Sequence, residues 1–205
     1  MAPMTLEKFR PITATYVESI AKKAISAGFT PNYVSLISLI FSMLAGVAFY
    51  YSLEVALYAF VGVIFVALNS FFDALDGSMA RYMGNASKKG DFLDHVIDRY
   101  ADMFIIGGIF FGGHVDWEIG VIALVGVLLT SYLGTQAQAL GIGRFYGGLM
   151  GRADRLVLIM VAAVAYVIYA QPLAGYTILG WCVVILAFTS HITALQRIYS
   201  VWNKL

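Results

Sequence analysis

Long apolar stretches alternate along this chain with short polar ones. Residues 33–53 carry no charge over 21 positions, and residues 55–72 are equally free of charge before they run into a group of acids. Residues 119–143 are uncharged. Residues 156–190 form an uncharged run of 35, broken by Gln171-Pro172 into two segments joined by a tight turn. A helix that crosses a bilayer needs about 20 mostly apolar residues. Residues 103–113 number only 11, too few alone. They complete a span if their helix starts near Asp91 and turns its acids inward. The pattern predicts an all-α integral membrane protein with six transmembrane helices over residues 29–205.

The segment before them, 1–28, has a different pattern. Leu6, Phe9, Ile12, Tyr16, Ile20 and Ile25 recur at roughly helical spacing, with Glu7, Lys8, Arg10, Glu18, Lys22 and Lys23 between them. This predicts a juxtamembrane amphipathic helix lying on the membrane surface. It lacks the charge-then-apolar layout of a cleavable signal peptide.

Composition agrees with a place in the lipid bilayer: 60% of the 205 residues are hydrophobic and 12% charged, against about a quarter charged in a soluble domain. The net charge of +1 gives no global field for nucleic acid. The single cysteine, Cys182, lies in an apolar run and reads as a packing residue. The basic residues fix an orientation. With six spans, the loops at 50–56, 113–119 and 170–174 fall on one side and hold Glu54, Asp116 and Glu118 but no Lys or Arg. All 13 basic residues fall elsewhere, near the other side. By the positive-inside rule, that other face and both termini are cytoplasmic.

The informative stretch is 73–102. Asp73 and Asp76 are three apart at the end of the second span; Asp94, Asp98 and Asp102 are four apart at the start of the third. Both spacings put carboxylates on one helix face. Each carboxylate at bilayer depth costs about 3 kcal/mol, so such a group calls for neutralising cations. Hard divalent ions, Mg²⁺ or Mn²⁺, take carboxylate and phosphate oxygens. Carboxylates from two helices suit a pair of ions clamping a phosphoryl group and its leaving oxygen.

The same stretch reads D-x2-D-G-x2-A-R-x8-G-x3-D-x3-D, met at Asp73, Asp76, Gly77, Ala80, Arg81, Gly90, Asp94 and Asp98. This resembles the signature of the CDP-alcohol phosphotransferase family, whose six spans after an interfacial helix also match. The resemblance implies that Asp73 and Asp94 touch both metals, Asp76 one, and Asp98 the second while acting as general base. It implies that Gly77 lets a CDP group approach the backbone, that Arg81 pairs with the diphosphate, and that Ser87 contacts the nucleotide. Pro31, Asn32, Tyr33 and Val34 match a stretch that helps to hold the CDP-lipid; Pro31 equally suits the first turn of a helix. A homodimer is implied by the resemblance alone.

Arg144, Arg152 and Arg155 form a second basic group, read either as an acceptor phosphate site or as a headgroup anchor. Residues 130–141 and 146–155 look like the branch of the family that uses an inositol phosphate as acceptor. Most similar are its archaeal members, whose lipid donor is CDP-archaeol. The bacterial members carry basic residues where this chain has Gly134 and Gln136. Glycerol 3-phosphate or serine as acceptor, with the same chemistry, is the alternative. A divalent-cation transporter also uses intramembrane acids, but it has no need of Gly77, Ala80, Arg81 and Gly90 at these spacings. Gly108-x3-Gly112 has the spacing of a helix-packing or dimer face.

Overall fold

The computed structural model describes residues 10–84, 87–143 and 147–205. Seven helices follow in order: α1 (Arg10–Ser26), α2 (Pro31–Tyr51), α3 (Leu57–Tyr82), α4 (Lys88–Phe111), α5 (Trp117–Ala139), α6 (Arg152–Ile168) and α7 (Ile178–Trp202). Local chemistry sets several of their ends. Thr30 caps α2 by accepting from the Tyr33 N–H, with Pro31 in the first turn. Ser87 caps α4 by accepting from Gly90 N–H at 3.0 Å. Thr177 caps α7 through Gly180 N–H.

Four helices, α2, α3, α5 and α7, are long and apolar enough to cross a membrane. The expected six spans therefore stand at four by length and composition. Helix α4 opens on the charged run from Lys88 to Arg99, and α6 has only 17 residues. Both nonetheless pack into the bundle: α4 lies against α2, α5 and α7, and α6 against α3 and α7. The reversal between α6 and α7 also differs in detail. It falls at Ala174-Gly175, both with positive φ, where Leu173 and Tyr176 exchange backbone hydrogen bonds, rather than at Gln171-Pro172.

The bundle is held by very close backbone approaches. A Cβ on Gly108 of α4 would overlap the Gly46 carbonyl of α2, and one on Gly46 would overlap the Phe104 carbonyl. Gly112 lies in the same way against the Tyr50 backbone. The Gly108-x3-Gly112 spacing is thus used within the chain, in the small-residue manner of membrane helices. A polar stripe of Ser35, Ser38 and Ser42 runs buried along α2. Asn69 of α3 donates to the Ser38 carbonyl at 2.9 Å, tying the two helices together.

Helix α1 meets the bundle along one face. Val17, Ala21, Ala24 and Ile25 pack on Leu75, Met79 and Phe72 of α3. Tyr16, 75% exposed, and Ile20 face outward. The small Ala21 and Ala24 let α1 seat against the C-terminal half of α3. Leu6, Phe9 and the side chain of Ile12 lie outside the described residues. Lys22 ends this contact, over the Tyr82 ring at 5.1 Å from its centroid and paired with Glu18 at 2.9 Å.

At the opposite end of the bundle, His114 in the α4–α5 loop joins three segments. Its ring nitrogens lie 2.8 Å from Ser52 Oγ and 2.8 Å from Thr177 Oγ1. Burial pushes its imidazole down to about 4.

Two outcomes follow from this packing. Gly108→Val forces α2 and α4 apart and should destabilise the bundle by about 3 kcal/mol, read as a lowered thermal midpoint in detergent. For His114 the unfolded state binds the proton more tightly than the folded one. Stability should therefore be full above pH 6.5 and fall as pH drops from there toward 4. His114→Asn should flatten that slope in the same thermal measurement.

Candidate active site

Helix α3 continues without a break through its acids, and five residues separate its end from the start of α4. The two acid-bearing ends therefore lie side by side. Ligand oxygens of Asp73, Asp76 and Asp94 all fall within 4.8 Å of one another. So do ligand atoms of Asp94, His95 and Asp98. Asp94 belongs to both groups, which makes it the shared member of two adjoining clusters. His95 thus stands among the candidate ligands.

Asp76 is 5% exposed and accepts a hydrogen bond of 2.5 Å from Ser35 Oγ of α2. That contact restricts carboxylate rotation and reserves one oxygen, leaving the other for the cluster. Nothing in the residue spacing points to Ser35, because the contact joins positions 41 apart. Around Gly77 the space is open: an added Cβ would meet only the Arg81 guanidinium, at 3.3 Å. Protein packing therefore does not require a glycine there, in contrast to Gly46 and Gly108. Arg81 is exposed in the last turn of α3.

The four residues at the start of α2 separate. A Cβ on Gly90 of α4 would come within 3.9 Å of Asn32 Oδ1 and 3.2 Å of Ser87 Oγ, so Asn32, Ser87 and Gly90 share one corner of the site. Pro31 opens the helix. Val34 is buried in the small core between α1 and α3. Tyr33 points outward into an apolar groove with Phe29, Leu36, Ile37 and Ile40.

Two arginines from the first turn of α6 close the other side. Arg152 Nη1 lies 3.1 Å from Asp73 Oδ2 and 2.7 Å from Asp98 Oδ1, and its Nε lies 3.8 Å from Asp102 Oδ1. Arg155 Nη2 donates to Asp102 Oδ2 at 2.8 Å. Yet Arg152 Nε and Nη2, Arg155 Nε and Asp98 Oδ1 are buried without a hydrogen bond. The Arg152–Asp98 contact is close in distance but misaligned in direction. Buried donors without an acceptor are costly, and three of these atoms belong to guanidinium groups, whose natural complement is a phosphate or carboxylate. Arg144 lies outside the described residues.

One residue of this region escapes a motif reading. Arg197 of α7, at its position in the sequence, looks like one of the basic residues marking the C-terminal end. It is buried instead, donating from Nε to the Gly147 carbonyl at 2.9 Å and from Nη1 to the Thr130 carbonyl at 2.8 Å. With the Met150 N–H bonded to Thr193 Oγ1, it fixes the segment that leads into Arg152. An isolated cation among the apolar residues of α7 is the signal that marks it.

The acid set suits divalent cations: hard oxygen donors from two helices, closely grouped, with one carboxylate common to both groups. The arginines offset part of the negative charge on the α6 side, at Asp73, Asp98 and Asp102. Asp76 is held instead by the neutral Ser35 hydroxyl.

Comparison with known proteins bears on this geometry. A family model described as CDP-alcohol phosphatidyltransferase matches residues 29–193. The archaetidylinositol phosphate synthase of Pyrococcus horikoshii is 34% identical over 200 residues, 98% of each chain. That of Methanothermobacter thermautotrophicus is 30% identical over 204 residues, covering 98% of this chain and 95% of the relative. Among solved structures, Mycobacterium tuberculosis phosphatidylinositol phosphate synthase with CDP-DAG bound aligns at TM-score 0.77 and 27% identity, over 91% of this chain and 94% of that one. The same synthase in complex with manganese and citrate aligns at TM-score 0.77 and 28% identity, over 91% and 89%.

The Ser35–Asp76 contact makes a direct prediction. Ser35→Ala should weaken Mn²⁺ binding, followed by the paramagnetic resonance of free Mn²⁺, by about tenfold. Ser35→Thr, which keeps the hydroxyl, should bind within about twofold of the unaltered chain.

Proposed function

The chain belongs to the CDP-alcohol phosphatidyltransferase family, and on that premise we propose that it transfers the archaetidyl group of CDP-archaeol to a hydroxyl of myo-inositol phosphate, releasing CMP. The observation that carries the choice of acceptor is the arginine pair at the start of α6. Its buried, unpartnered guanidinium donors lie beside the acid clusters, where a phosphorylated acceptor would supply the missing oxygens. The archaeal and bacterial relatives are inositol phosphate synthases by name, which supports the same reading.

In this reading Asp73, Asp76, Asp94 and Asp98 hold two ions, Mg²⁺ or Mn²⁺. The ions supply charge neutralisation at the diphosphate and acidify the acceptor hydroxyl. The protein does the rest by positioning, which dominates phosphoryl transfer. Gly77 leaves room for the diphosphate to lie against the backbone. Arg81, whose guanidinium already reaches over Gly77, pairs with it. Asn32 and Ser87, together at the Gly90 corner, face the nucleotide, and Pro31 sets the helix start that carries Asn32. Tyr33 and Val34 serve the lipid side by shape, through the groove and the α1–α3 core. Arg152 and Arg155, with Arg144, anchor the acceptor phosphate. The acceptor oxygen then attacks the lipid-side phosphorus. Its bond to the bridging oxygen of the diphosphate breaks, CMP leaves with that oxygen, and the hydroxyl proton passes to the Asp98 carboxylate.

The chain is a multi-pass membrane protein, with α2, α3, α5 and α7 able to span. We take α4 and α6 as spans as well, since charged ends facing a polar site exempt them from a purely apolar requirement. The basic loops then put the site and both termini on the cytoplasmic face, where polar substrates arrive. A homodimer is part of the same family reading.

The test is CMP release by purified protein with CDP-archaeol and one acceptor at a time. Inositol phosphate should support release, and glycerol 3-phosphate and serine should not. Chelation of divalent ions should abolish it. Asp98→Asn should lower kcat by about a thousandfold with its thermal midpoint kept. Release with glycerol 3-phosphate or serine instead would keep the chemistry and overturn the acceptor.

A further inference from the structure

Asp102 continues the row of Asp94 and Asp98 on α4, one turn deeper. By spacing it is another member of the acid set. By structure it is not: among the described residues neither candidate cation cluster includes it. It is 3% exposed, and its two oxygens face arginines, Oδ2 toward Arg155 Nη2 at 2.8 Å and Oδ1 toward Arg152 Nε at 3.8 Å. Arg155 is 2% exposed. This is a fully buried ion pair.

A buried pair of this kind contributes little to stability, because desolvation of both ions offsets their attraction. What it does provide is direction. A guanidinium is a rigid planar fork. Once Nη2 is engaged by a carboxylate that is itself fixed on a packed helix, the plane of the group is set. The donors left over, including the buried unpartnered Nε, are then held in place without further loss of freedom. Charge counting points the same way. Arg155 lies near the Arg197 cation of α7, and Asp102 is the carboxylate bonded to Arg155, the more deeply buried of the two. Without it Arg155 would face that cation with no counter-charge, and would turn away from the pocket.

We propose that Asp102 is the positioning residue of the acceptor pocket: it holds Arg155 so that the guanidinium donors left over receive the phosphate of the acceptor. It does not bind the divalent ions and takes no proton in the reaction. The inference rests on the reading of the acceptor as a phosphorylated alcohol.

Asp102→Asn keeps the shape of the side chain and removes the charge. With inositol phosphate as varied substrate, its KM should rise by about tenfold while kcat changes less than threefold, the pattern of lost binding rather than lost chemistry. Mn²⁺ affinity, followed by paramagnetic resonance, and KM for CDP-archaeol should stay within about twofold. Inorganic phosphate should compete with the acceptor in the unaltered protein and do so about tenfold less well in the variant. The double variant Asp102→Asn/Arg155→Gln should have the acceptor KM of Arg155→Gln alone, since Asp102 acts through Arg155. Should Asp102→Asn fail to fold, this last comparison carries the test, because the double variant leaves no uncompensated arginine charge at the pair. Loss of Mn²⁺ affinity would make Asp102 a cation ligand and overturn the proposal. So would an unchanged acceptor KM, or a double variant clearly worse than Arg155→Gln. Failure of the unaltered protein to use inositol phosphate, or to be inhibited by phosphate, would instead overturn the acceptor reading, whatever the variants do.

Discussion

A carboxylate held at the depth of a membrane helix must be met by positive charge, and the arrangement of this bundle follows from that requirement. Asp73 and Asp76 on α3 and Asp94, Asp98 and Asp102 on α4 would be intolerable side by side in an apolar surround. Two kinds of positive charge can answer them. Arg152 and Arg155 enter from α6 and reach Asp73, Asp98 and Asp102. The grouped oxygens of Asp73, Asp76 and Asp94, away from Arg155, are left to divalent ions. In the proposed reading the acids therefore divide by partner: Asp102 serves the arginines alone, while the shallower ones hold divalent ions, with Arg152 beside Asp73 and Asp98.

Such a division works only if three helix ends are held in fixed register, and the means are modest. Gly46 against Gly108 brings α2 and α4 to backbone contact, while Asn69 ties α3 to α2 through the Ser38 carbonyl. The same serine stripe ends at Ser35, whose hydroxyl orients Asp76. Packing and site are thus continuous along α2: the face that joins the helices also aims a carboxylate. On the α6 side Arg197 has the corresponding task, bonding two carbonyls so that the segment before Arg152 cannot drift. Positioning of this kind matters because phosphoryl transfer gains most of its rate from geometry and fixed charge.

The sequence made the helices and the acid groups legible, because each depends on local periodicity. The apolar runs placed α2, α3, α5, α6 and α7, and the 3- and 4-residue spacing put the aspartates on two facing sides. What it left hidden depends on residues distant in the chain. Ser35 looks like any small polar residue of a membrane helix until it is brought to Asp76. Arg197 reads as a basic end residue until α7 buries it. Asp102 shares the spacing of the cation ligands, yet its environment is set by α6, some 50 residues away. The inner face of α1 is hidden for a related reason: its contact with α3 includes the small Ala21 and Ala24, which large apolar side chains do not announce.

The same division of charge separates this site from an ion path, which would also place acids within a bundle. A permeating ion needs acids in series, each able to pass it to the next. Here the row on α4 ends at Asp102, which is occupied by Arg155, and Arg152 closes the side of Asp73 and Asp98. Beyond Asp102 the same helix face continues as Ile105, Ile106 and Ile109, all buried in the apolar core. An ion entering from the acid end meets fixed guanidinium groups and then hydrocarbon. What such a dead end suits is an anion that comes to the ions from the same side, with arginines at the back to receive a second phosphate. A transferase with two phosphate-bearing substrates needs that arrangement, and a transporter would be blocked by it.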